Sequence, residues 1–284
     1  MAMHPLRQHL ARVGAALASG PMAARIKRDS LCRLGAVATP QELAALEGEL
    51  GFPLPRTLRE VLGQVSADIE ISWSLRSRET VDAAGFSNEE YLAQPPDAFL
   101  EWSQAPDAQG NYPPSARRVP RIPSGMIRFS LAGMRRAVGS LPGWLDLYRD
   151  DPDHDDETRA HFALIREFMS AGLPVWTAPN GDWLAIDLRD EDERLLHVSH
   201  EGEEAGIELG LTLPQFLAHL SWLGPVWPDY PMIFMFSDET DDVVPDDPRL
   251  QRADFDARSE AGGKWRQWFW DMTGLADPPP ELLG

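Results

Sequence analysis

One cysteine, Cys32, is all the thiol chemistry in this 284-residue chain, which excludes an internal disulfide and suits a reducing compartment. Long apolar runs are missing too: no stretch approaches the roughly 20 residues that a membrane-spanning helix needs. The N-terminal "VGAALASG" is too short and too weakly apolar for a signal-peptide core, although its flank is Arg-rich and acid-poor like a targeting segment. Positive charge is scarce, with 26 Lys and Arg against 45 Asp and Glu and a formal net charge of −19. Phosphate is bound by Lys and Arg that release counterions, so this balance argues against a general binder of nucleic acid or anionic membrane and favours basic partners. Gly-rich phosphate loops, a nucleophile elbow and a His-Glu-x-x-His motif are absent. The expectation is a cytoplasmic protein.

What the chain has is a globular composition. Its apolar content of 43%, its ten Trp and its lack of low-complexity tracts place it among ordered proteins. A single domain of this length would bury roughly three quarters of its extended-chain surface. Charge is unevenly spread. Residues 1–37 carry Arg7, Arg12, Arg25, Lys27, Arg28 and Arg33 against Asp29, while "DDPDHDDE" (150–157) and "SDETDDVVPDD" (237–247) are nearly pure acid.

Thr39-Pro40-Gln41-Glu42 has the form of a capping box with Pro at the first helical position, so a helix should begin at Pro40. Leu43, Leu46 and Leu50 recur at helical spacing, and Gly51 stands where a left-handed C-terminal cap is needed. In "GELGFPLPRTLREVL" (48–62), Phe52 and Leu54 can fold back, Pro53 stops the first helix, and Pro55 pre-sets φ for a second carrying Leu58, Val61, Leu62 and Val65. "GFPLP" therefore reads as a rigid elbow between two amphipathic helices.

Ile69, Ile71, Trp73 and Leu75 then alternate with polar residues, as a strand with one wet face does. Seven prolines between Pro95 and Pro123 make 76–125 an irregular insertion, with one short helix expected near Phe99 and Trp102. "MIRFSL" (126–131) reads as a strand, followed by short helical or turn structure to Tyr148. "ETRAHFALIREFMSAG" reads as a helix with Phe162, Ile165 and Phe168 or Met169 inward, closed by Gly172. Leu173 to Thr177, an Asn180-Gly181 turn, and Trp183 to Leu188 give two strands, and "RLLHVSHEG" gives a third after the acidic loop "RDEDE". With that loop at a hairpin tip, alternation places Leu184, Ile186, Leu196 and Val198 on one face and Trp183, Ala185, Asp187, His197 and Ser199 on the other. "TLPQFLAHLSWLG" is a further helix. "DFDARSEAGGKWRQWFWDM" is a last one, whose Trp265, Trp268, Phe269 and Met272 should dock on the main body.

Catalytic and metal-binding patterns mostly fail on spacing. "DPDHDDETRAHF" imitates a calcium loop but has Asp156 where Gly is required and Phe162 where the closing Glu belongs. His197 and His200 stand an odd number apart on a strand, which sends the two imidazoles to opposite faces. Asp182 and Asp187 also fall on opposite faces, with Asp182 still in the turn. Cys32 sits in a basic, helix-like segment with no nucleophile motif around it. No catalytic residue, metal ligand or cofactor site is assigned.

The sheet face bearing Trp183, Asp187 and His197 is left. With Asp190, Glu191 and Asp192 beside it, and Asp241 and Asp242 in the second acidic run, it offers an aromatic anchor in a negative field, the ingredients of a steered protein interface. The alternative is that helices or the insertion cover this face and Trp183 is core.

The order helix, "ELGFPLP" elbow, helix, strands, "NGDWLAIDL", "RLLHVSHEG" and "TLPQFLAHL" resembles the SUKH superfamily of fungal cell-wall regulators and bacterial immunity proteins. The resemblance covers residues 38–224, with 76–125 as the Pro-rich insertion. Residues 1–37 then form a basic helical extension, and 225–284 an acidic loop with a Trp-rich helix packed on the main domain. The sequence departs from the family pattern after the second helix, where "QVSADIE" stands. The resemblance implies an α+β fold with a curved, mainly antiparallel sheet backed by helices. It also implies a non-catalytic protein-binding module, an immunity protein whose partner is a basic toxin domain of nuclease or deaminase type. A regulatory or scaffolding module is the alternative, with the Trp-rich helix or the insertion as its docking element.

Overall fold

A computed structural model describes residues 3–19, 31–74, 100–102, 118–120, 124–177, 181–198, 206–226, 233, 235–238, 243–244, 247–270, 275 and 277–283. Helix α1 (Pro5–Ser19) carries Leu6, Leu10, Val13 and Leu17 at helical spacing, and all four are buried. Arg7, beside this buried face, donates to the carbonyl of Gly35 at 2.9 Å and to that of Val65. Helix α1 is thus built into the main core, while Arg25, Lys27 and Arg28 lie outside the described residues. Strand β1 (Leu31–Leu34) follows, so Cys32 lies on a strand and not on the expected helix; its side chain is exposed.

Helix α2 (Pro40–Leu50) starts at the expected capping box, with Thr39 and Glu42 exchanging bonds, and ends at Gly51 in the left-handed region with φ 79°. Helix α3 (Arg56–Glu60) passes directly into a π-helical turn, Val61–Val65, and together they bury Leu58, Val61, Leu62 and Val65. Leu54 folds back into the core, its amide held by Glu47 Oε1 at 2.8 Å, and Arg59 pairs with the same carboxylate. The elbow is locked by its own first helix.

Strand β2 (Asp68–Ser74) alternates as predicted, with Ile69, Ile71 and Trp73 inward. Strands β3 (Leu100–Trp102) and β4 (Arg118–Pro120) pair with each other, so Trp102 stands on a strand where a short helix was expected; Phe99 and the rest of the insertion lie outside the described residues. Strand β5 (Ser124–Ser130) pairs with β2 along its whole length, completing the antiparallel sheet β1-β2-β5. Helix α4 (Leu131–Leu147) is 17 residues of continuous helix where short pieces and turns were expected.

Helix α5 (Asp156–Ala171) buries Ile165, Phe168 and Met169 and runs straight into β6 (Gly172–Thr177). Strands β7 (Trp183–Asp187), β8 (Arg194–Val198) and β9 (Ile207–Thr212) continue as an antiparallel meander. Helix α6 (Leu213–Trp222) opens with a second capping box, Thr212 and Gln215, and is buried on every side. Beyond it come β10 (Ser237–Asp238), β11 (Val243–Val244), β12 (Asp247–Arg252), β13 (Asp254–Phe255) and helix α7 (Glu260–Trp270).

The larger sheet runs β11-β12-β9-β8-β7-β6, antiparallel throughout except where β12 joins β9 in parallel. The fold is α+β and mainly antiparallel. One continuous core joins α1, α2, α3, the small sheet, one face of the large sheet, α6 and α7. On the opposite face, α4 and α5 enclose a smaller cluster around Phe168, Trp183, Leu196 and Val198. No helix among the described residues is long and apolar enough to cross a membrane.

Candidate functional site

The β7–β8 hairpin decides which residues share a face. Trp183 opposes Val198, Leu184 opposes His197, Ala185 opposes Leu196, and Ile186 opposes Leu195. Trp183 and His197 therefore point to opposite sides of the sheet, which corrects the expected shared face. The reason lies at the hairpin tip, where Glu193 takes a left-handed φ of 59° and the connection closes one residue out of the assumed register. A shift of one residue exchanges every side chain between faces.

Trp183 is 1% exposed and meets Trp144 edge-on with ring centroids 6.0 Å apart, under α4 and α5. It is core. His197 is fully buried on the other face, with Nε2 3.2 Å from Asp182 Oδ2, and Asp182 is itself buried. Burial, and then the Asp182 charge, push the Tyr148 phenol above the usual range. The His–Asp pair is held in an interior closed to solvent. His200, Glu201, Asp241 and Asp242 lie outside the described residues.

Asp187 is engaged by Arg189, whose Nε and Nη2 donate to its two oxygens at 3.0 and 2.8 Å. The same guanidinium lies 5.2 Å over the Phe168 ring. The acidic loop that follows is equally occupied. Asp190 accepts the amides of Asp192 and Arg194 at 3.1 and 3.0 Å, and Asp192 pairs with Arg194 at 2.6 Å. Glu193 reaches across the fold to α3, accepting the amides of Arg56 and Thr57, both at 2.6 Å. Pro55 supplies no side-chain cap there, so a carboxylate from the hairpin tip takes that place. Of this loop only Glu191 is exposed with no partner among the described residues.

The exposed acid lies elsewhere. Where α4 gives way to α5, Asp146, Asp150, Asp153, Asp155, Asp156 and Glu157 are all exposed. Asp155 caps α5 by accepting the Thr158 amide at 2.8 Å, and that bond holds its carboxyl below the usual range. Asp146 and Asp156 each meet one arginine of their own segment. Leu147, next to Asp146 at the end of α4, stands 63% exposed. A cleft of about 350 Å³ opens beside it, lined by Tyr148, Asp150, Asp156, Arg159 and Arg166; it is charge-balanced, so the negative field belongs to the rim. In the sequence 150–157 reads as a solvated acidic loop, and nothing in the spacing around Leu147 marks it as exposed.

The Trp-rich helix α7 packs on the main body, as expected, with Trp268 only half-buried. Trp265 and Phe269 are fully buried, and Trp265 Nε1 donates to Leu223 O at 2.6 Å. Among the described residues no group of three or more His, Cys, Asp or Glu is placed to hold a metal ion. No protein-family model matches the chain, and no curated protein or solved structure matches it.

Proposed function

We propose that the chain is a protein-binding module of the immunity type, working in the reducing cytoplasm, that covers the basic active surface of a cognate toxin domain. The observation that carries this reading is the acidic rim at 146–157 with Leu147 exposed next to Asp146. An apolar anchor next to a field of one sign is what fast, steered association with a basic surface uses. The helix–elbow–helix start, followed by antiparallel strands, supports the same reading through its resemblance to the SUKH proteins. Of the residues expected at the interface, five are engaged in the fold, Trp183 and His197 by burial, Asp187 by Arg189, Asp190 and Asp192 within the hairpin, while Glu191 is exposed.

The test is association kinetics of the full chain with a panel of purified basic nuclease and deaminase toxin domains. A cognate pair should bind with a rate constant that falls at least about tenfold between low and high salt. The combined variant D150K, D153K and D156K should slow association by at least about tenfold more, with its far-UV spectrum unchanged. Salt-insensitive association, or partners that are themselves acidic, would overturn the reading.

A further inference from the structure

The two sheets end on strands that face one another: β5 closes the small sheet and β6 closes the large one. Between these edges and the first turns of α4 lies a cavity of about 340 Å³ lined by Arg128, Ser130, Arg136, Ser140, Trp176 and Thr177, with Val175 and Ala137 in its walls. That volume is at the lower end of small-ligand sites. Its charge is opposite to that of the molecule. In a protein of net charge −19, the described titratable side chains lining this groove are two arginines and no carboxylate.

Neither arginine is consumed by the fold. The adjacent Arg135 is fully committed, meeting Glu49 through two bonds of 2.8 and 2.9 Å. Arg136 has no ion pair or hydrogen bond among the described residues. Its Nη2 lies 3.7 Å from where a Cβ on Gly133 would stand, and Ser130 Oγ lies 3.0 Å from the same point. The guanidinium therefore leans back over the first turn of α4 toward Ser130. Among the described residues Arg128 meets only Glu70, at 3.8 Å through Nε, and Glu70 is shared with Arg33. Ser130 Oγ accepts the Gly133 amide at 2.9 Å, which leaves its hydroxyl proton for another acceptor. Thr177 brings a second hydroxyl, and Val175 and Trp176 form the apolar wall.

We infer that this groove binds a phosphomonoester. Two guanidinium forks and two hydroxyl donors match a dianion with three terminal oxygens, and the Val175–Trp176 wall suits the organic body of the ester. A single carboxylate would satisfy only half of the charge. The losses in R128Q and R136Q are what assign saturable binding of a dianion to this groove.

Calorimetric titration of the full chain with phenyl phosphate, inorganic phosphate and benzoate at low salt tests the inference. Phenyl phosphate should bind one-to-one and at least about tenfold more tightly than benzoate, with inorganic phosphate between them. R128Q and R136Q should each weaken phenyl phosphate by about tenfold, while R149Q, exposed just beyond the C-terminal end of α4, leaves it unchanged. Both arginines are exposed, and unchanged melting temperatures establish that the variants stay folded. No saturable binding, benzoate binding as tightly as the phosphate, or equal losses in R149Q and R136Q would each overturn it.

Discussion

Glu193 joins two parts of the chain 137 residues apart, and its position makes it more than a loop carboxylate. It supplies the only described side-chain acceptor to the first amides of α3, at the positive end of that helix. E193A should lower the unfolding free energy by about 1–2 kcal/mol in urea titrations, and E193Q, which keeps one neutral acceptor, by less. Equal stability of all three proteins would mean that water caps the helix as well. His9 tests burial in the same core. It lies in α1 with neither ring nitrogen hydrogen-bonded, and burial, followed by the Arg12 charge, lowers its pKa to about 4. Below about pH 6.5 the unfolded chain takes up this proton while the folded chain refuses it until about pH 4. Stability is therefore complete above pH 6.5 and is lost as pH falls toward 4, by up to about 3 kcal/mol from this residue. Burial lowers the His219 pKa too, and that loss runs in the same direction. H9L should flatten the slope between pH 7.5 and 4.5 by about 2–3 kcal/mol; a slope identical to that of the parent would assign the acid sensitivity to other groups.

Among the elements, the two helix-ending glycines separate backbone strain from packing. Gly51 has φ 79° with open space around a hypothetical Cβ, so G51A should cost only the left-handed penalty, about 1 kcal/mol. Gly224 has φ 76°, and a Cβ there would meet the Phe269 ring at 2.3 Å. G224A must displace α7 as well and should cost about 3 kcal/mol or more. Denaturation midpoints that shift equally would show that α7 yields freely. These local devices were legible in the sequence, because capping boxes, elbow prolines and cap glycines act within a few residues. Pairing was not. The faces of Trp183 and His197 depended on the left-handed turn at Glu193, which is set by the distant amides of α3 and by nothing in the hairpin's own alternation. Helix α4 was missed because Gly133, Gly139, Pro142 and Gly143 read as turn chemistry, whereas Leu131, Met134 and Ala137 hold it by burial. Strand β9 was missed although Ile207, Leu209 and Leu211 alternate in it, since its partners are β8 and the remote β12. The acidic rim was visible as composition, but its exposure follows from where α4 and α5 meet.

At the scale of the molecule, the question is whether residues 225–284 are an appendage or a wall of the core. The C-terminal end of α6 and the turn after it expose four carbonyls to the interior, and indoles satisfy them: Trp270 on Trp222 O, Trp265 on Leu223 O, and Trp73 on Gly224 O and Pro225 O. Two of those three tryptophans come from α7. His219 adds two further links, accepting the Ala257 amide at 3.0 Å and meeting Leu283 O at 3.2 Å. Strand β12 pairs with β9 and so extends the large sheet. Removing 225–284 would unsatisfy two buried carbonyls, each costing about 1–3 kcal/mol, and would expose α6, which has no polar face to turn outward. The truncated chain should bind hydrophobic dyes and lose its near-UV signal and its cooperative melt. W265F, which keeps most of the ring contact but not the bond to Leu223 O, should cost about 1–2 kcal/mol, and W265A about 3–5 kcal/mol. A truncated chain that melts cooperatively near the parent temperature would make the tail a separate module and favour the docking role of its Trp-rich helix.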